Sequence, residues 1–155
     1  MKRIVISIIT AISLIGCVKK VTYSHFESVP INGWNEDSVL TFTWSIDDTD
    51  ATYRILIDVR HTERYPYQNL WFFVRDPYSS ASLPPYPQDT IEFYLADERG
   101  QWLGRGKNGY IEMPVLYEEA YHFDSAGIYS MTVQHGMRAK ELKGLSDVGI
   151  IIDKN

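Results

Sequence analysis

The chain has 155 residues, 45% hydrophobic, 14% aromatic and 23% charged, which is too apolar for a disordered chain, too polar for a bundle of membrane spans, and long enough for one packed domain. Fifteen basic against twenty acidic residues give a net charge of −5, so there is no electrostatic footprint for a phosphate backbone and nucleic acid is set aside as a partner. Eleven Tyr, six Phe and four Trp beside seven Pro and ten Gly favour short strands joined by turns over long helices.

The N-terminus reads as an address. Met1-Lys2-Arg3 is positively charged, and Ile4 to Ile15 is apolar apart from Ser7, Thr10, Ala11 and Ser13. That is the pattern of a cleavable signal segment, and about a dozen apolar residues are too few for a permanent span, which needs roughly 20. Leu14-Ile15-Gly16-Cys17 resembles the bacterial lipobox, whose cysteine thiol takes a diacylglycerol. Cys17 is the single cysteine, so no internal disulfide competes for it. The expected organisation is a lipoprotein signal peptide over 1–16, a lipidated Cys17 with a short tether over 17–22, and one domain over 23–155. Several acyl chains make a durable membrane anchor where one is marginal. Loss of Lys2 and Arg3 leaves 13 basic against 20 acidic residues, a net charge of −7, with no basic patch for a membrane surface.

Period-two patterns then run almost to the end of the chain. Val21 to Ser28 is a first strand. In Val39 to Ile46 the apolar Leu40, Phe42, Trp44 and Ile46 alternate with Thr41, Thr43 and Ser45, a half-buried strand. Asp47-Asp48-Thr49-Asp50 is a polar turn, and Tyr53, Ile55, Ile57 and Val59 alternate with Arg54, Asp58 and Arg60, which predicts a hairpin between the two runs. Leu70 to Val74 is apolar on both faces, as a central strand covered on its second side would be, and should stop at Arg75-Asp76-Pro77. Ser79 to Gln88, with Pro84-Pro85-Tyr86-Pro87, predicts a long ordered loop. Thr90 to Ala96 is a strand, Asp97 to Gly100 a turn, and Gly104-Arg105-Gly106 a loop fragment. Ile111 to Leu116 reads as a weaker strand, Ile128 to Gln134 and Val148 to Asp153 as the last two, and Met137 to Leu142 as one helical turn. The sum is an all-β, two-sheet antiparallel β-sandwich of about eight strands, a jelly roll being one way to connect it.

The sequence offers little chemistry. His25, His61, His122 and His135 are widely separated, without the close pairing of a zinc site, and suit a chance scatter over strand surfaces. Asp47-Asp48-Thr49-Asp50 could offer carboxylates to Ca²⁺ but lacks the Gly and distal Glu of an EF-hand loop. There is no G-x-S-x-G elbow, P-loop or dinucleotide fingerprint. Glu92, Asp97, Glu98, Glu118 and Glu119 are unremarkable as a glycosidase pair in an acidic chain. Trp34, Trp71 and Trp102 could form an aromatic platform for sugar, or they could fill the core as large rings commonly do.

Several separated blocks carry a resemblance: Cys17 with its lipobox, Asn69-Leu70-Trp71-Phe72, Asp89-Thr90-Ile91-Glu92, Leu95-Ala96-Asp97 with Gly100-Gln101-Trp102-Leu103-Gly104, Gln134-His135-Gly136-Met137-Arg138, and Leu142 to Gly149. In this order they resemble the GldH gliding motility lipoproteins of the Bacteroidota. The resemblance implies a non-enzymatic outer-membrane lipoprotein of the gliding apparatus, associated with type IX secretion as an assembly or scaffold component. It implies envelope protein partners and neither cofactor, metal nor small-molecule substrate. Within Gln134 to Gly149 it points to Met137, Arg138, Lys143 and Asp147 as a partner surface. Where the family often carries a basic residue after Asp-Val-Gly, this chain has Ile150-Ile151-Ile152. The run after Cys17 holds no acid until Glu27, unlike the acidic run of surface-displayed lipoproteins, which predicts a domain facing the periplasm. A glycan-binding envelope lipoprotein supporting polysaccharide uptake is the alternative, and exposed tryptophans would favour it.

Overall fold

The computed structural model describes residues 20–79, 82 and 85–155. The signal segment and Cys17 lie outside the described residues. The strands are β1 (Lys20–Ser28), β2 (Trp34–Asn35), β3 (Leu40–Ile46), β4 (Tyr53–His61), β5 (Asn69–Ser79), β6 (Gln88–Tyr94), β7 (Arg105–Lys107), β8 (Tyr110–Tyr121), β9 (Gly127–His135), β10 (Glu141–Leu142) and β11 (Leu145–Lys154). All pairings are antiparallel. One sheet runs β1-β11-β4-β8-β7, a second β3-β9-β5-β6, and β2 pairs with β10.

Setting aside the three strands of two or three residues leaves eight long ones, as expected. Numbered one to eight along the chain, their order is 1-8-3-6 in one sheet and 2-7-4-5 in the other, the strand order of a jelly roll. The alternating rows meet between the sheets. Phe42, Trp44 and Ile46 of β3, Leu70, Phe72 and Val74 of β5 and Tyr129, Met131 and Val133 of β9 pack against Ile55, Ile57 and Val59 of β4 and Val148, Ile150 and Ile152 of β11. Along the open side the Tyr117 hydroxyl of β8 reaches across to Asp76 and, at 3.2 Å, Asp89. Burial and these two carboxylates push its pKa up.

Five expectations change. The hairpin between Val39–Ile46 and Tyr53–Val59 does not form: β3 pairs with β9, whereas β4 lies between β11 and β8. Both runs line the same core, but from opposite sheets, and a period-two pattern is identical in the two cases. The strand expected to stop at Arg75 continues to Ser79, because the register shift between Arg75 and Tyr78 absorbs Pro77 and its missing N–H. Ile111 to Leu116 belongs to β8, at 12 residues the longest strand; its acids and Pro114 face outward and mask the pattern. Gly104-Arg105-Gly106 leads into β7, which turns into β8 through Asn108-Gly109, both at positive φ (52° and 83°), a hairpin signal present in the sequence.

The fifth change is at Met137 to Leu142, where the predicted helical turn is absent. Leu142 is 0% exposed, the Glu36 N–H donates to the Lys140 carbonyl at 2.8 Å, and β10 pairs with β2, so the segment bends at Met137, Arg138 and Lys140 and its end is held as a strand. The expected turn at Asp97 does form, its Oδ1 accepting from the N–H groups of Arg99 and Gln101. Of the predicted loop between Ser79 and Gln88, Ser79 and Gln88 are in strands and residues 80, 81, 83 and 84 lie outside the described residues.

Gly144 closes the turn between β10 and β11 at φ +92°, with the Tyr65 backbone where a Cβ would stand (2.5 Å from Tyr65 Cα). Gly100 also has positive φ, +76°, but open space around it. Gly144→Ala is therefore expected to cost about 3 kcal/mol and Gly100→Ala about 1 kcal/mol. In thermal melts this corresponds to losses of roughly 6–12 °C and 2–4 °C. Equal losses would show that Tyr65 does not confine the turn.

Candidate functional site

The two ends of the sandwich differ. β1 starts at one end beside Lys154 of β11, and Phe123 closes that end among Trp44, Tyr53, Tyr121 and Tyr129. At the opposite, far end, Trp34 packs on Phe72 and His135 and is 1% exposed. There His135 Nε2 lies 3.0 Å from the Trp34 carbonyl. Burial lowers the His135 pKa, so the neutral ring donates that hydrogen bond and anchors the end of β9 to β2.

From this anchor springs the loop from Gly136 to Gly144. The Gly136 N–H donates to the Trp71 carbonyl at 2.7 Å, and the Trp71 N–H points at Met137 Sδ at 3.4 Å. A Cβ at Gly136 would stand 3.2 Å from Phe73 Cζ and 3.3 Å from Trp71 Cβ. Glycine thus lets the loop lie on the outer side of β5, and this is why β5 is apolar on both faces: Trp71 and Phe73 are half-buried. Beside the loop runs a groove of about 420 Å³ lined by Tyr67, Asn69, Trp71, Gly136, Met137 and Arg138.

The four residues expected to form a partner surface are not brought together. Met137 and Arg138 flank this groove, and Lys143 is exposed at the turn beside Gly144. Asp147 belongs to the outer face of the five-stranded sheet, in a cross-strand row of Ser28, Asp147, Arg60, Glu112 and Arg105. There it accepts from Ser28 Oγ at 2.9 Å, and Arg60 Nε donates to Glu112 at 3.2 Å.

The next row on that face holds Phe26, Gly149, Asp58 and Pro114. Gly149 has no Cβ, so the Phe26 ring lies flat across it, and the Arg60 guanidinium sits 3.7 Å above the ring. Under this cover Asp58 is 2% exposed, and its Oδ1 has no hydrogen-bond partner. Burial, helped by the nearby Glu112 and opposed by Arg60, pushes its pKa up from 3.8 to about 7. Sequence reasoning placed Asp58 on the solvent face of its strand; the cover comes from β1, two strands away, and left no signal in the local pattern.

Of the four histidines, His25 and His122 are exposed and the other two are not. His61 and His135 are buried, and Trp102 packs edge-on to His61 at 4.6 Å. No group of three or more His, Cys, Asp or Glu among the described residues is placed to hold a metal ion. In the Asp47–Asp50 turn, Asp48 is bound by Lys154 and accepts from the Asp50 N–H at 3.0 Å. The tryptophans form no exposed row: Trp34 is interior, and Trp71 and Trp102 are half-buried in separate surroundings.

The family model described as GldH lipoprotein matches residues 21–152, which is the sandwich nearly in full. The chain belongs to the GldH lipoprotein family. It is 31% identical over 157 residues to the gliding motility lipoprotein GldH homolog of Christiangramia forsetii, covering 97% of this chain and 94% of that one. With the gliding motility lipoprotein GldH of Flavobacterium johnsoniae the identity is 28% over 156 residues, covering 96% and 94%. Among solved structures it is similar to the VP2 subviral particle of infectious bursal disease virus at 15% identity and a TM-score of 0.28, over 87% of this chain and 31% of that one; a likeness at that level carries no argument.

Asp58 gives this GldH-family domain a pH dependence of definite sign. The folded state keeps a proton to about pH 7 that the unfolded chain releases near 3.8, so its contribution is complete below pH 3.8 and is lost as pH rises toward 7. Between pH 5 and 7 the loss is about 2 kcal/mol at 1.36 kcal/mol per pH unit. Asp58→Asn removes that loss: the melting temperature of the variant minus that of the natural chain should grow by roughly 4–8 °C from pH 5 to pH 7. A difference independent of pH would show that Asp58 ionises normally.

Proposed function

We propose that the protein is a non-enzymatic lipoprotein of a gliding-motility apparatus, held in the outer membrane by lipids on Cys17, facing the periplasm, and acting there as an assembly or scaffold component associated with type IX secretion. The observation that carries this reading is the family match across the folded domain, joined to relatives named as gliding motility lipoproteins that align over nearly their full length. The lipobox-like Leu14-Ile15-Gly16-Cys17 supports the anchor. The burial of Trp34 and the packing of Trp102 on His61 speak against the glycan-platform alternative.

The sheet begins earlier than the sequence suggested. β1 takes in Lys20, Val21 and Thr22, so no more than two residues stand between Cys17 and the described start of the sheet. At no more than about 3.5 Å per extended residue, this holds the start of β1 within roughly 10 Å of the lipid attachment point.

Cys17→Ala in the native bacterium should abolish incorporation of a fatty-acid probe, shift the protein out of the outer-membrane fraction, and reduce colony spreading to the level of a deletion. Protease added to intact cells should spare the domain and digest it after the outer membrane is opened. Label on the variant would overturn the anchor, spreading unchanged by deletion would overturn the motility role, and digestion in intact cells would overturn the periplasmic orientation.

A further inference from the structure

The far-end loop has properties that a turn needed only for chain reversal does not require. It is locked at both ends, by His135 on the Trp34 carbonyl and Gly136 on the Trp71 carbonyl at its start, and by Leu142 in the core and Gly144 against Tyr65 at its finish. Between these locks it exposes three cations, Arg138, Lys140 and Lys143. None of them is in an ion pair among the described residues. The one acid of the loop, Glu141, accepts from Asn35 Nδ2 at 2.6 Å, which draws it toward β2. The loop thus carries a net charge of 3 − 1 = +2 on a rigid support, in a chain whose net charge is −5, with Glu36 and Glu63 on the segments bonded to its backbone.

The groove beside these charges supplies the other half of a binding surface. Tyr67 is 40% exposed, Trp71 and Met137 are half-buried, and Arg138 is exposed, so an incoming apolar side chain would be covered by two aromatic rings and a thioether next to a guanidinium. Trp, Tyr, Met and Arg are the residues enriched at the energetic centres of protein interfaces. A rigid presentation lowers the ordering cost of binding.

We propose that this loop and groove bind an extended acidic segment of a protein partner, an aromatic or large aliphatic side chain entering between Tyr67, Trp71 and Met137 while a neighbouring carboxylate pairs with Arg138. A carboxylate meets a guanidinium through two parallel hydrogen bonds, and Lys140 and Lys143 add charge attraction along the same loop. Lipid is not the occupant. The nine residues of β1, at about 3.3 Å each, separate the loop by roughly 30 Å from the end at which the tether enters. The proposal rests on the reading of the protein as an assembly component, and it names the chemistry of what is assembled.

The test replaces Tyr67 with the photo-crosslinking amino acid p-benzoylphenylalanine in the full-length lipoprotein, irradiates living cells, and maps the crosslinked peptide by mass spectrometry, with the same replacement at the exposed Tyr110 as the control. The expected result is one protein adduct at Tyr67 and not at Tyr110, mapping to a segment of net negative charge. Arg138→Glu should reduce it at least tenfold and Arg138→Lys only about threefold, while fatty-acid labelling and melting temperature stay unchanged. No adduct, an adduct to lipid or to a basic segment, or one indifferent to Arg138→Glu would overturn the proposal. If spreading still requires the protein in that case, the motility reading stands and only this interface falls.

Discussion

The structure depends on one constraint: two sheets, each with a single apolar face, must close on each other. The chain meets it by crossing between sheets at nearly every long connection, so that among the described residues β5 and β6 are the only consecutive long strands paired side by side. Its first and last strands, β1 and β11, pair with each other, and β11 sits between β1 and β4, so the row of Val148, Ile150 and Ile152 cannot be completed until the whole chain is present. Most native pairings therefore join residues distant in sequence, which demands loop closure before contacts are gained and predicts slow folding relative to helical domains of this size.

Closing the faces leaves the ends and the lateral edges to be dealt with separately. The near end is filled by Phe123 and its aromatic neighbours, and the far end by Trp34, His135 and Leu142. The neutral His135 adds a hydrogen bond to the Trp34 carbonyl that a wholly apolar plug would not supply. Along one edge Tyr117 spans to Asp76 and Asp89, and the outer face of the larger sheet is sealed locally by Phe26 and Arg60 over Gly149. That seal strands Asp58 in a place where its charge is costly, so the same packing that protects the sheet makes its stability depend on pH.

Legibility followed the range of the interactions. Strands such as β3, β4, β9 and β11 were evident because alternation is a property of neighbouring residues, and the number of long strands came with them. The partner of β3 was not evident, since Phe42, Trp44 and Ile46 would show the same alternation facing β4 in a hairpin or facing it across a core. The path of Met137 to Leu142 was equally hidden: its backbone partners lie on β2 and at Glu36 just after it, about a hundred residues earlier. Asn108-Gly109, by contrast, was a local signal for the β7–β8 hairpin and was open to reading. The blocks resembling the GldH family included Gln134 to Arg138 and Leu142 to Gly149, and these prove to be the two fixed ends of the far-end loop and the start of β11. Asp147 fell within the same stretch of sequence, but the strand carries it onto another face.

Charge is placed differently at the near end and on the far-end loop. Asp47, Asp50, Glu118, Glu119 and Asp124 stand at or near the end where β1 begins, and none is in an ion pair among the described residues, whereas Lys154 and Arg54 at that end are committed to Asp48 and Asp153. The far-end loop carries Arg138, Lys140 and Lys143. Glu36, Asp37, Glu63 and Glu141 stand at the same end as the loop, so the contrast is local to the loop, and with a Debye length of about 8 Å at physiological ionic strength each cluster acts by itself. An acidic segment approaching the near end meets repulsion, and one approaching the far-end loop meets three cations that no ion pair engages among the described residues. The sequence between Gly136 and Gly144 thus does two things at once: its glycines and Leu142 fix a backbone path that closes the core, and the charged residues between them, which the core has no use for, are left facing outward in a defined arrangement.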